Sequence, residues 1–158
     1  MRVLLAAALL SAPALAAAQP PAAAEAEVRQ VVTRLFDAMR AGDSAAVRAV
    51  FHPRAMLGSA LVRNGRPEFR LDSLETFIRG VGSPHPDVWD ERLSNVRVQV
   101  DGPLAAVWTD YDFYAGTRFS HCGVDAFQLA RTETGWRIIA LTDTRRRGAE
   151  CPNAPKTP

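Results

Sequence analysis

Lysine is almost missing from this sequence. Lys156 is the only one, so all but one of the 19 basic residues are arginine, a bias that speaks to genome composition rather than function. The basic residues are scattered, and Arg145-Arg146-Arg147 is the only run, read as a solvated strand end. A nucleic-acid footprint needs a basic face interleaved with aromatics. Without one, and with a net charge of only +2, nucleic acid drops out of the expected partners. The G-x-S-x-G elbow, the P-loop, the H-E-x-x-H zinc helix and the glycine-rich dinucleotide fingerprint are also missing. The two cysteines, Cys122 and Cys151, form neither a C-x-x-C pair nor a metal-type spacing, so no metal and no cofactor is expected. Internal repeats and interior linkers are absent too, which leaves a single domain.

What is present begins with an export signal. Met1-Arg2 is a short positive start, Val3 to Leu10 is apolar, Pro13 breaks the run, and Ala16-Ala17-Ala18 offers an A-x-A cleavage site. The apolar run is too short to span a bilayer, no cysteine follows it for lipid attachment, and no membrane span is expected after cleavage. The expected organisation is a signal peptide over 1–18, a disordered Pro/Ala-rich lead-in over 19–24, a folded domain over 25–148 and a tail over 149–158. The mature protein is then periplasmic or secreted, in a bacterial setting. In that oxidising compartment an even cysteine count predicts a Cys122–Cys151 disulfide.

Helices come first. Val28, Val32, Leu35, Phe36 and Met39 mark one face of an amphipathic helix that ends at Gly42. Asp43 caps a shorter helix carrying Val47, Val50 and Phe51, and His52-Pro53 stops it. Arg54 to Val62 reads as a strand, and Asn64-Gly65 turns it into an antiparallel return over Glu68 to Leu71, with Pro67 implying an edge. Asp72-Ser73-Leu74-Glu75 opens a third helix, and Gly80 to Pro86 is a loop. Then come four long strands, starting with the alternation of Val96, Val98 and Val100. Helices segregated ahead of a meander indicate α+β.

This order resembles the NTF2-like superfamily. The residues that carry the resemblance are Phe51-His52-Pro53-Arg54-Ala55, Ala106-Val107-Trp108 leading to Tyr111-Asp112-Phe113, Asp125-Ala126-Phe127-Gln128-Leu129, and Gly135-Trp136-Arg137-Ile138. The bacterial branch labelled SnoaL-like or lumazine-binding is the most similar. The resemblance implies a cone: three helices packed on a long, curved antiparallel sheet. It leaves the chemistry open, because the superfamily holds isomerases, dehydratases, cyclases, epoxide hydrolases and binding modules.

Hairpin register sharpens the site. With Gly116 and Thr117 as loop residues, Ala115 pairs with Arg118, and Asp112 falls opposite His121, Asp110 opposite Gly123 and Trp108 opposite Asp125. One face would then carry Trp108, Asp110, Asp112, His121, Asp125 and Phe127, extended by Leu129, Ile138, Ala140 and Thr142. Phe36, Met39 and Phe51 would form the helical wall of the pocket. His121 beside Asp112 would be a general base with its orienting carboxylate. His52, His85 and Trp136 read as structural. The opposite face, with Val107, Tyr111, Phe113, Val124, Ala126, Ile139 and Leu141, is too apolar for water. In this fold class a twin sheet commonly covers it, so a homodimer is expected. Three functions stay open: a module binding a small, partly apolar molecule, a small acid–base enzyme using His121 and Asp112, and an accessory protein acting through its dimer surface.

Overall fold

The computed structural model describes residues 21–154, so the expected signal peptide over 1–18 and the last four residues of the tail lie outside the described residues. Three helices come first or interrupt early: α1 (Pro21–Ala41), α2 (Ser44–Val50) and α3 (Leu74–Gly82). The strands are β1 (Phe51–Arg63), β2 (Arg66–Asp72), β3 (Trp89–Asp101), β4 (Leu104–Ala115), β5 (Arg118–Thr132) and β6 (Gly135–Thr144). They form one sheet in the order β2-β1-β6-β5-β4-β3, antiparallel throughout except for the parallel β1–β6 pair that joins the early hairpin to the meander.

The local signals act as expected at the helix ends. Asp43 accepts a hydrogen bond from the Ala46 amide at 2.9 Å and Ser73 from the Thr76 amide at 3.3 Å, each satisfying an orphan donor of a first turn. Asn64 and Gly65 both take positive φ, as the tight β1–β2 turn demands. One expectation fails: Pro21–Ala24, read as disordered lead-in, is the first turn of α1, with Ala24 buried. Proline suits a first helical position and alanine is the strongest helix former, so the turn propagates outward from the packed stripe.

That stripe of α1, Val28 to Met39, lies across the concave side of the sheet and meets Val107, Phe127, Leu129 and Ile138 in the core. Burial of each large apolar side chain contributes about 1.5–3 kcal/mol, enough to hold the helix without exceptional propensity.

Bulges on β3, β5 and β6 curve the sheet and decide which residues face inward. On β5, Tyr114 pairs with Phe119 but Phe113 pairs with His121, leaving Ser120 over. On β6, Leu129 pairs with Ile138 but Gln128 with Ala140, leaving Ile139 over. On β3, the ladder skips between Ser94 and Arg97, where Asn95 has φ 52°. Each extra residue turns the rest of its strand over relative to a straight count.

The tail is pinned rather than loose. Cys122 and Cys151 form a disulfide with Cα atoms 5.8 Å apart, on the side of β5 away from the core. Cys122 bridges Arg146, and Asn153 donates to Asp112 Oδ2 at 2.8 Å. Among the described residues no helix is long and apolar enough to cross a membrane.

Candidate functional site

Between α1, α3 and the concave face lies a cavity of about 440 Å³. Its wall is apolar: Leu35, Phe36 and Met39 from α1, Phe77 from α3, and Leu57, Phe113 and Leu141 from the sheet. Trp89 stands at its side, stacked on the His85 ring at 4.7 Å, with Phe113 edge-on at 6.4 Å. His85 Nδ1 in turn bonds the Asp87 carbonyl, so this loop histidine fixes the tryptophan rather than meeting a ligand. The polar groups gather at the opposite part of the cavity, where Glu91, Tyr111, His121, Asp125, Asp143 and Arg145 converge from four strands.

Register explains the convergence. Alternation on β4 buries Ala105, Val107, Thr109 and Tyr111, while Ala106 and Trp108 are exposed. Across the ladders, Phe113 faces both Glu91 and His121, Asp125 faces Asp143, and Asp143 faces Ser59. Tyr111 lies over Gly123 and donates its hydroxyl to the Thr144 carbonyl at 2.8 Å. A Cβ at Gly123 would meet the Tyr111 ring at 2.6 Å and collide with that same carbonyl, so only glycine admits this arrangement.

Glu91 and Asp125 are hydrogen-bonded to each other. Burial pushes Asp125 up to about 7, opposed by the hydrogen bond from Glu91 and reinforced by the Asp143 charge. Burial, and then the adjacent Asp125, hold Glu91 well above the usual carboxylate range. Two such groups cannot both ionise, so the pair keeps one proton, carried by Glu91 and donated to Asp125. Apart from the Glu91 carboxyl, no protein donor reaches Asp125 Oδ2, although that atom is fully buried. Asp143 is held differently, by Arg145 Nε at 2.7 Å. His121 bonds Ser120 Oγ at 3.1 Å through Nδ1 and stacks on Phe113 at 4.8 Å. Burial, aided by Arg145 and Arg147 and opposed by Asp143, lowers it to about 4, so its ring is uncharged at neutral pH. Burial also raises the Tyr111 hydroxyl far above its usual range, and it stays protonated. Chemically, the site offers a proton shared between carboxyls and an excess of acceptors.

Of the residues expected in the pocket, Phe36, Met39, His121 and Asp125 line the cavity. Phe127 faces the same side but is buried below it, edge-on to Phe36 at 6.2 Å, and Phe51 is buried against Phe77. Trp108, Asp110 and Asp112 are on the other, convex face, because the Ser120 bulge shifts β5 by one residue from the turn inward. Asp112 therefore pairs with Cys122, not His121, and the expected His121–Asp112 acid–base couple does not exist. Asp110 accepts from Asn95 at 2.7 Å and braces the β3 bulge. Ala140 and Thr142 also turn outward, and Leu141 inward, because of the Ile139 bulge. Tyr111, Phe113 and Val107, expected outside, are likewise inside. His52 accepts from the Arg54 amide at 3.2 Å, and Trp136 is buried. Glu91, Asp143 and Arg145 had not been expected in the site. The alternation Trp89, Glu91, Leu93 ahead of Val96 was the available signal for the first.

The helix-backed cone, with its cavity open between α1 and α3, is the NTF2-like fold. Solved structures agree. An NTF2-like protein of unknown function from Shewanella baltica is 17% identical with a TM-score of 0.62, over 78% of this chain and 94% of its own. A structure described as a "putative dehydratase" of the NTF2-like family from Streptomyces avermitilis is 16% identical with a TM-score of 0.62, over 80% and 99%. An NTF2-like protein with a cystatin-like fold from Novosphingobium aromaticivorans is 14% identical with a TM-score of 0.64, over 81% and 85%. At these identities the likeness is one of fold. Residues 23–142 match the family described as "Putative lumazine-binding", and the chain belongs to it. No curated protein matches the chain.

Proposed function

We propose that this is an exported domain, periplasmic or secreted, that binds a small, partly apolar molecule in its cone. The observation that carries this reading is the cavity itself. Its volume of about 440 Å³ lies in the range of small-molecule sites, its wall is aromatic and aliphatic, and its polar groups converge at one place. The family description adds a small molecule of the lumazine type as a first ligand to try. The Cys122–Cys151 bridge fits an oxidising compartment. The neutral fluorophore N-phenyl-1-naphthylamine should bind saturably, one per chain, with enhanced emission. Leu141→Trp, which fills the cavity, should reduce that binding at least about tenfold. A wild-type protein that leaves the fluorophore dark, or a Leu141→Trp variant that binds it unchanged, would show that the cavity is not a ligand site.

A homodimer remains part of the reading, on a corrected surface. Leu141 belongs to the cavity, so the Ile139–Leu141 patch is not the interface. The convex face instead gathers Met56, Val62, Phe69, Leu71, Leu104 and Trp108, all exposed, with the small residues Ala106, Ala126 and Ala140 between them. Such an apolar sheet face, interrupted by Gln99, Gln128 and Thr142, calls for a cover, and a second copy supplies one of matching shape. Light scattering at micromolar concentration should give a dimer, and Trp108→Arg should give a monomer that still binds the fluorophore. A monomeric wild type would remove the dimer from the reading.

A further inference from the structure

The cavity has an uneven charge balance. Asp143 is neutralised by Arg145 at 2.7 Å, and Asp72, at the end of β2, has Arg70 Nε at 3.2 Å. Neither α1 nor α3 brings a charged group to the lining, and β1 brings only Leu57, Gly58 and Ser59. His121 and Tyr111 are uncharged, the first because burial and two arginines hold off its proton, the second because burial holds its own. What remains is the Glu91–Asp125 pair, which has one proton and shares the charge of Arg145 with Asp143, so the cluster keeps one negative charge in excess. Asp125 is 3% exposed, it borders the cavity, and apart from the Glu91 carboxyl no donor reaches its Oδ2. A buried carboxylate answered only by a neighbouring carboxyl is costly, and a ligand donor offsets that cost.

We propose that the cavity selects a small organic cation, a primary or secondary ammonium group on an apolar, aromatic body, which donates its N–H to Asp125. This rests on the cavity being a ligand site and adds the chemical class. An alcohol could donate one hydrogen bond but would leave the pair's charge uncompensated. A carboxylate would meet Asp125, Glu91 and Asp143 with the same sign. An ammonium group makes a charge-assisted bond to Asp125, and Phe36, Phe77, Trp89 and Phe113 present rings that suit both its body and its charge.

The proton balance follows. Binding an ammonium favours ionised Asp125 while Glu91 keeps the pair's remaining proton. Asp125 titrates at about 7 in the free protein, so affinity rises with pH through that value. Between pH 6 and pH 8 the ionised fraction grows about tenfold, and affinity grows with it. Each cation bound at pH 6 therefore displaces close to one proton into the buffer.

Three probes of similar shape test this on the oxidised wild-type protein: phenethylamine, 2-phenylethanol and 3-phenylpropanoate, each displacing N-phenyl-1-naphthylamine at pH 8. Phenethylamine should displace at a concentration about 10- to 100-fold lower than the alcohol, with the carboxylate weakest. Its advantage over the alcohol should shrink at pH 6. Asp125→Asn should abolish the advantage, while Trp108→Arg, on the opposite face of the sheet, should keep it. Equal displacement by amine and alcohol, preference for the carboxylate, or no displacement by any of the three while the fluorophore binds, would each overturn the cation assignment and leave the cavity standing. Failure of the fluorophore itself to bind overturns the cavity reading first, and this assignment with it.

Discussion

Asp125→Asn should stabilise the ligand-free protein, and more at pH 8 than at pH 5. The free carboxyl titrates near 3.8 in an unfolded chain and at about 7 in the fold, where burial and then the Asp143 charge oppose its ionisation, while the Glu91 hydrogen bond favours it. Between those two values the folded state holds the proton that the unfolded state has lost. Stability contributed by this group is therefore full below about pH 4, falls as pH rises and reaches its minimum above pH 7. The shift of roughly three units is worth on the order of 4 kcal/mol, and about 2–3 kcal/mol of it develops between pH 5 and pH 8. Asparagine does not ionise and escapes this loss. His121 acts in the opposite sense. Its folded value of about 4 lies below the ordinary 6.5, so its contribution is present above pH 6.5 and is lost as pH falls toward 4. The wild-type profile over that range is flattened by the two together. Both carry His121, so the difference between variant and wild type reports Asp125 together with Glu91, whose ionisation the Asp125 charge also opposes. Urea denaturation at the two pH values should show the variant's advantage larger at pH 8 by about 2–3 kcal/mol. An equal difference at both pH values, or a loss at pH 8, would mean that Asp125 is not the strained group.

The reason Asp125 was found from sequence, and its partner was not, is physical. Local chemistry announces itself: Asn64-Gly65 has the residues a tight turn needs, Asp43 and Ser73 have oxygens for amides three residues on, and Val28 to Met39 repeat at helical spacing. These fixed three helices, the hairpin and the helix-then-meander order, and with them the NTF2-like cone. A bulge has no such signature. Ser120 and Ile139 are ordinary strand residues, and nothing in their identity says they lack a partner. Each is selected by packing further along the strand, where Phe127 and Leu129 must reach the α1 stripe while the Gly116-Thr117 turn stays closed. His121, Asp125 and Phe127 share a face as expected, because the bulge precedes all three on β5. Counting from the turn set Trp108, Asp110 and Asp112 opposite to their true direction. Glu91 escaped because the strand was expected to begin near Val96, and the charged Asp90 and Arg92 mask the alternation of Trp89, Glu91 and Leu93. The parallel β1–β6 pairing is non-local and depends on the finished sheet.

Removing the disulfide should cost stability without touching the site. Cys122 and Cys151 are 29 residues apart, and both are buried at 2% and 4% exposure. Closing a loop of that length restricts the unfolded chain by about 3–4 kcal/mol. In the folded state the bridge fastens the end of the chain to β5, alongside the mutual amide–carbonyl bonds of Cys122 and Arg146 at 3.1 and 2.8 Å. Gly148, at φ 56°, makes the bend that returns Cys151 to the sheet, and Asn153 then reaches Asp112. Cys122 points away from the cavity, while its neighbour His121 points in, so the cross-link and the cavity occupy opposite faces of one strand. The Cys122→Ala, Cys151→Ala double variant should therefore lose about 3–4 kcal/mol in urea denaturation, with a larger m-value, since its unfolded chain exposes more surface. Binding of N-phenyl-1-naphthylamine, measured well below the unfolding transition, should stay within about twofold of wild type, because no cavity group has moved. Labelling of both thiols by alkylation of the native, unreduced protein would contradict the bridge outright. An unchanged denaturation midpoint in the double variant would show that the bridge forms but constrains nothing the rest of the fold does not already hold.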